Sequence, residues 1–390
     1  MAPFNRRNFL KKSSLGLLPA IIPFQSILAS ETTDQFLAPS TLPVKLYGDG
    51  EMFEPAAYLD ELQKANAATA IVRDRYGAGG VVAALEKKFT ELTGKEKAIY
   101  MPSGTMANQL AFAVLSGDKT KIFVQETSHA YRDEGDAAQS VFNKRLMPLA
   151  KDAAYFTAEQ LQQAIESLKN EEVFDSGIGA VSIENPVRRA DGRVVPLAEI
   201  KKISDYCRTK NIKLHLDGAR IFLASAWTGT PIKTYASYFD TVYISLYKYL
   251  GASGGAMLCG PAAIIDQMTH LIKVHGGSMY GNWTNAAMAL HRLEGFETRL
   301  QNAIKASKEI FEALNQIPGV QIKPLNDGTN IYILQLAKEI DGKKMQNTLN
   351  KEFNIRLPFD THNSTQLMVN ETLLYQSTTD IINAFRKSIQ

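Results

Sequence analysis

Cysteine is almost missing from the 390 residues: only Cys207 and Cys259 occur. Two thiols exclude a disulfide scaffold and a cysteine-rich metal centre. Cys259 lies in an apolar strand pattern and reads as a buried, inert thiol. Uninterrupted apolar runs of the ~18 residues that a spanning helix needs are also lacking. No G-x-G-x-x-G follows an early strand, which disfavours a plain Rossmann dehydrogenase. No HExxH and no paired His/Cys spacing suggests a metal enzyme. Repeats and low-complexity segments are lacking too. A strong charge of one sign is absent: the formal net charge is +3, and residues 1–30 hold Arg6, Arg7, Lys11 and Lys12 with no acid. The remainder carries 39 basic against 40 acidic residues. Nothing in that balance supports nucleic acid or an anionic membrane as partner. What is present, 45% apolar and 21% charged residues, is ordinary for a folded soluble protein long enough for two domains.

The N-terminal stretch "NRRNFLKKSSLGLLPAIIPFQSILAS" pairs two arginines, continues through Phe9-Leu10-Lys11, and runs into a modest apolar segment ending near Ala29. It resembles a twin-arginine export signal, which implies a periplasmic address. A basic tail with a short amphipathic helix is the plainer alternative. Such a segment, taken here as residues 1–30, is left out of fold reasoning.

From about residue 98 to 260, short β-rich runs alternate with helical patterns. "AIYMPS", "KIFVQE", "KRLMPLA", "IGAVSIEN", "IKLHLDGA" and "TVYISL" read as strands. "GTMANQLAFAVLSG", "TAEQLQQAIESLKN" and "PLAEIKKISDYCRTK" read as helices, the second opened by a capping box of Thr157 and Gln160. Such alternation predicts an α/β domain with a mostly parallel sheet between helices. From about 283 one long helical pattern runs to Pro318. Strands "VQIKPL" and "NIYILQL", a helix near 342–352 and a final helix then form a smaller α+β domain. The expected division is a large domain over 44–290 and a small C-terminal domain over 291–390.

Ligands of such sheets gather at the carboxyl ends of the strands, and three features fall there. Ser103, Gly104 and Thr105 open a helix after a strand. Free N–H groups and the positive end of the dipole suit a phosphate there, although serine is also an ordinary N-cap. Asp217 follows apolar Leu214 and Leu216 before Gly218 turns the chain. A carboxylate so placed wants a cation, either a protonated ring nitrogen or simply Arg220 three residues on. Lys248 lies just past "TVYISL" and before Gly251, Gly254 and Gly255. In apolar surroundings its amine would be a nucleophile toward aldehydes; alone it reads equally as a surface lysine. Taken together, a phosphate cup, an acid for a ring nitrogen and a Schiff-base lysine are what pyridoxal 5'-phosphate requires.

At this point the stretches "YGAGGVVAALEKKFTELTGKEKAIYMPSGTMANQLA", "SIENP", "LHLDGARIFLA" and "SLYKYLGASGGAML" resemble the threonine aldolase/β-eliminating lyase family of fold-type-I pyridoxal phosphate enzymes. The resemblance runs from about residue 44 to the C-terminus, dense between 75 and 260 and loose after 300. It implies the fold-type-I architecture with a seven-stranded large-domain sheet, an amino acid substrate, and a homodimer or homotetramer with shared active sites. It implies cleavage of a β-hydroxy-α-amino acid to glycine and an aldehyde, with β-elimination on another amino acid, or cofactor binding with little turnover, as alternatives. By that likeness Lys248 carries the cofactor, Asp217 holds the ring nitrogen, and Ser103, Gly104 and Thr105 line the phosphate. His129, in "TSHAYRDEG", stacks on the ring and acts near the substrate hydroxyl, or is a structural loop histidine. Glu134 orients a residue of the neighbouring strand. Asn185 lies beside the ring, and Arg220 lies near the cofactor hydroxyl or the substrate carboxylate.

The sequence also departs from the family pattern. The usual Arg-Ser-Asp-Thr start appears as Tyr47-Gly48-Asp49-Gly50, without the serine hydroxyl. Gln366, in "STQLMVN", stands where a carboxylate-binding arginine is expected, and such a guanidinium is not replaced lightly. Val187, Arg188 and Arg189 occupy the place of a histidine after "SIEN", and Tyr280 follows "GGSM" in place of a basic residue. Either Arg188, Arg189 or Arg356 supplies the missing charge, or substrate choice has drifted.

Overall fold

The computed structural model describes residues 42–358 and 363–389; the export-signal segment lies outside them. In chain order the first strands are β1 (Val44–Lys45), β2 (Lys97–Met101), β3 (Lys121–Gln125), β4 (Arg145–Leu149), β5 (Ile178–Glu184), β6 (Lys213–Asp217), β7 (Thr241–Ser245) and β8 (Ala256–Gly260). Seven of them form one sheet in the order β2-β8-β7-β6-β5-β3-β4. Only β8 runs against its neighbours. Because β8 reverses direction twice over, β2 points the same way as β7, and all the carboxyl ends but that of β8 share one edge. Strands β3, β7 and β8 are buried at every position. That is why they read as continuous apolar runs and not as alternating ones.

Helices cover both faces. On one face the helices Gly80–Thr93, Ala158–Glu171, Leu197–Thr209 and Trp283–Leu293 enclose a core containing Phe89, Leu161, Ile203, Leu216 and Tyr249. On the other, Gly104–Ser116 and Ala262–Val274 pack over Leu110, Leu258 and Met268. The capping box expected at Thr157 is present: Gln160 N–H donates to Thr157 Oγ1 at 3.2 Å, and Thr157 N–H donates to Gln160 Oε1 at 2.8 Å.

The single helical run expected from 283 is two helices, Trp283–Leu293 and Phe296–Leu314. Glu294 is extended and Gly295 is left-handed, with φ 65°. Glycine is the residue that adopts this turn without a Cβ penalty. Arg299 covers the exposed end by donating to the carbonyls of Arg292 and Glu294. The apolar spacing continues across the break, so periodicity alone did not reveal it.

The smaller C-terminal body is an antiparallel sheet of β9 (Val320–Pro324), β10 (Ile331–Leu336) and β12 (Ser364–Met368), in the order β12-β10-β9. A separate pair joins β1 to β11 (Ile355–Arg356) in parallel. Leu334, Leu349, Leu367 and Phe385 form its core together with Val44 and Leu46, so the first described strand is packed with the last hundred residues. No helix among the described residues is long and apolar enough to cross a membrane.

Candidate active site

Every candidate of the constellation lies at the shared carboxyl edge. Asp217 ends β6, and Glu184, which ends β5, is its register partner. Ser103 follows β2, His129 follows β3, and Lys248 follows β7. The gathering is a consequence of strand direction, since a chain leaving a parallel strand turns at that edge.

Lys248 is buried, with 8% of its surface exposed. Burial pushes its pKa down to about 8, helped by the Arg220 charge and opposed by Asp217, Asp49 and Glu184. Desolvation wins because an ammonium loses its hydration shell there, whereas the anions are partly engaged elsewhere. Such an amine is about one-quarter unprotonated at pH 7.5, against roughly a thousandth for an ordinary lysine.

Asp217 is buried and does not pair with Arg220, contrary to the plainer sequence alternative. Its Oδ1 accepts from Ala219 N–H at 3.1 Å and its Oδ2 from Asn108 Nδ2 at 2.9 Å. Arg220 instead donates through Nε to Asp49 Oδ1 at 2.9 Å. The turn at Gly218 sends the two side chains of "LDGAR" to different partners. Asp217 therefore keeps lone pairs for a cation arriving from outside the sheet.

His129 lies at the start of the short helix His129–Arg132. Its Nδ1 is 2.9 Å from Glu134 Oε1. That bond raises the imidazole pKa above its usual value, against burial and with help from the Asp217 charge. Burial raises the Glu134 pKa, and the bonds from His129 and Asn108 hold it back. Glu134, expected from the sequence to orient a residue of the neighbouring strand, instead holds His129, five residues before it. With Nδ1 engaged, Nε2 is the nitrogen left for proton transfer.

Glu184 was not anticipated from the sequence. Its carboxylate is buried and fastens two loops: Oε2 accepts from His129 N–H at 2.7 Å and Oε1 from Arg188 N–H at 2.9 Å. Burial, then the Asp217 charge, pushes its pKa up to about 7. The signal available was its place in "SIEN", at the end of a strand adjoining Asp217. Asn185, next in sequence, is fully buried. Its Oδ1 accepts from Val195 N–H at 2.8 Å, while Nδ2 has no partner among the described residues. A buried amide donor left unpaired is costly, and an acceptor on a bound molecule would satisfy it.

Ser103 caps the helix Gly104–Ser116, accepting from Met106 N–H at 3.2 Å. The earlier N–H groups of that first turn have no acceptor within the helix. Gly104 is required by a close approach, since a Cβ there would lie 2.0 Å from Tyr243 Oη. Thr105 is half-buried beside it. The remaining expected residues sit as follows. Arg188 and Arg189 both pair with Asp133, Arg188 Nη1 at 3.3 Å and Arg189 Nε at 2.9 Å. Gln366 donates to Asp191 Oδ1 at 3.0 Å. Arg356 is exposed on β11, and Tyr280 is exposed against the Tyr76 ring. Both thiols are buried and pushed up to about 12 by burial, as inert cysteines should be.

A family model described as beta-eliminating lyase matches residues 58–339. The low-specificity L-threonine aldolase of Candida albicans is 30% identical over 275 residues, which cover 70% of this chain and 72% of that protein. The alanine racemase TOXG of Cochliobolus carbonum is 34% identical over 262 residues, covering 64% of this chain and 65% of that protein. A solved structure from Exiguobacterium sp. 255-15, of the aromatic amino acid beta-eliminating lyase/threonine aldolase kind, superposes with a TM-score of 0.74 at 24% identity, covering 90% of this chain and 98% of its own. That likeness establishes the fold, which is the fold-type-I pyridoxal phosphate architecture.

Glu184 binds its proton more tightly in the folded chain than unfolded, so folding takes up a proton between pH 4.5 and about 7. Its contribution to stability is complete below that window and declines as pH rises through it. Glu184→Gln carries a pH-independent cost for the mismatched amide but no titration. Urea unfolding of the cofactor-free protein is expected to show the variant gaining on the wild type as pH passes from 4.5 to 7. Parallel profiles would contradict the assignment.

Proposed function

The chain belongs to the beta-eliminating lyase family, and from that membership we propose that it is a pyridoxal phosphate-dependent lyase. Its reaction is cleavage of the Cα–Cβ bond of a β-hydroxy-α-amino acid to glycine and an aldehyde. The observation that carries the reading is a buried Lys248 amine facing the Asp217 carboxylate, beside an imidazole held by Glu134.

The residues present fit the cofactor. Lys248 Nζ is the covalent anchor, Asp217 the partner of the ring nitrogen, and the first turn at Ser103, Gly104 and Thr105 the phosphate cup. Asn185 Nδ2, buried without a partner among the described residues, is a donor toward a ring substituent. Once bound, pyridoxal phosphate supplies an electron-poor ring that accepts the electron pair of the breaking Cα–Cβ bond. Asp217 would pair with that ring nitrogen and favour its cationic form. His129 Nε2 takes the proton of the substrate β-hydroxyl, and Glu134 holds the imidazole in the orientation that presents Nε2. Arg220, neutralised in part by Asp49, stays near Lys248 and favours its unprotonated form.

The enzyme is expected to release glycine and acetaldehyde from L-threonine or L-allo-threonine. Lys248→Ala should abolish turnover and borohydride labelling, and His129→Asn should lower kcat by about 10²–10⁴-fold. Pyruvate with ammonia would indicate β-elimination instead, and alanine racemisation would place the chain with its racemase relative. Resistance of Lys248 to borohydride in the loaded protein would overturn the lyase reading.

The chain assembles as a homo-oligomer. Tyr76 and Tyr280 are each more than half exposed with their rings in edge contact, centroids 5.3 Å apart, and Met279 beside Tyr280 is likewise exposed; apolar surface gathered in this way favours a partner. Light scattering should give a mass at least twice 43.1 kDa, and Tyr280→Lys with Met279→Lys should lower it. An unchanged monomer mass would dismiss the assembly. The Arg6-Arg7 segment supports export in folded form to the periplasm. Replacing both arginines with lysine should retain the protein in the cytoplasm on fractionation, and continued export would refute that address.

A further inference from the structure

Asn108 is fully buried on the helix Gly104–Ser116, and every polar atom of its side chain is spoken for. Its Nδ2 donates to Glu134 Oε1 at 2.7 Å and to Asp217 Oδ2 at 2.9 Å. Its Oδ1 faces His215 Nε2 at 2.9 Å, and His215 Nδ1 faces Thr241 Oγ1 at 2.8 Å. One amide therefore ties two side chains of β6, His215 and Asp217, to Glu134 on the loop after β3.

The proton directions follow from chemistry. Turning the amide over would aim Oδ1 at two carboxylates and Nδ2 at an imidazole, so the orientation is fixed. Burial pushes His215 down to about 4, so its ring carries one proton. That proton is on Nε2, donated to Asn108 Oδ1, and Nδ1 accepts from the Thr241 hydroxyl. The Phe112 ring edge, 5.4 Å away by centroid, closes the far side to water. Both Nδ2 protons of Asn108 are thereby directed at anions.

We propose that Asn108 is a positioning residue that joins His129–Glu134 and Asp217 into one hydrogen-bonded assembly and sets the proton affinity of His129 through Glu134. Among the described residues, the donors to Glu134 Oε1 are His129 and Asn108. Remove the second, and the Glu134 carboxylate holds a proton more readily. With one donor gone, the same carboxylate accepts more strongly from the imidazolium, so His129 gives up its proton only at higher pH. The other groups facing His129 are the Asp217 and Lys248 charges across the site and Asp133 on its own loop, with Glu184 at its backbone N–H. None of them donates to Glu134 Oε1; Asp217 acts on Glu134 through its charge alone, which raises the Glu134 pKa. The identification of His129 as the base rests on the function proposed above, but the coupling does not.

The test is NMR titration of the full-length chain with labelled histidine, with and without bound cofactor. His129→Asn identifies the resonance among the six histidines. In the wild type the His129 midpoint is expected above the usual value of about 6.5, and Asn108→Ala should raise it further by about one pH unit with the circular dichroism spectrum retained. Asn108→Ser keeps one donor and should give a smaller rise, and it carries the test where the alanine variant does not fold. A wild-type midpoint at or below 6.5, or a midpoint unmoved or lowered in either folded variant, would overturn the proposal. The titration requires no turnover, so its result stands whatever reaction the enzyme performs.

Discussion

The site depends on keeping a lysine amine out of water while three carboxylates stand near it. Left to Coulomb forces, Asp217, Asp49 and Glu184 would hold Lys248 protonated and useless as a nucleophile. Burial opposes them, and so does Arg220, which Asp49 pins at 2.9 Å. The outcome is a lysine near the top of the physiological range, not two units above it. The enclosing sheet edge is thus part of the chemistry: loosen it, water returns, and the amine reverts to an ordinary ammonium.

Each carboxylate at this edge is handled differently, and the differences assign their tasks. Asp217 has one backbone and one amide donor, neither of them cationic, and so remains able to meet a cation. Glu134 shares one oxygen between His129 and Asn108. Glu184 has two backbone donors and no side-chain partner, which makes it a fastener between the loop at His129 and the loop at Arg188. Three acids packed so near one another would repel if they were not separately hydrogen-bonded.

Much of this was legible in the sequence because turns and strand ends leave local marks. Lys248 and Ser103 follow apolar strands and Asp217 ends one, and the alternation of six strand patterns with helical ones announced the sheet, the seventh strand being implied only by the family resemblance. The break at Gly295 was hidden because the apolar spacing runs on through it, and glycine is tolerated inside helical patterns. Asn108 was hidden for another reason. On a helix of alternating small and apolar residues, a lone asparagine carries no signature, and its partners lie 26 and 109 positions away in sequence. The Arg220–Asp49 pair spans 171 positions, so the nearer Asp217 looked like the natural mate. Sequence reading finds the groups a strand delivers. It does not find the groups that other segments bring to meet them.

The cations offset from the family pattern can be weighed the same way. The sequence offered Arg188, Arg189 or Arg356 in place of a missing carboxylate clamp, and the first two are found on Asp133. Arg189 engages it through two nitrogens and Arg188 through one. Both guanidinium groups are about half exposed, where an ion pair is worth only about 0–1 kcal/mol. Releasing Arg188 therefore costs little, because Arg189 remains to neutralise Asp133. Its backbone, tied to Glu184, stays fixed while the side chain turns. Gln366 is different: it is uncharged and bound to Asp191, so freeing it offers a substrate carboxylate one neutral amide against a nearby anion. Of the two departures, the arginine pair can supply charge to a carboxylate, and the glutamine cannot.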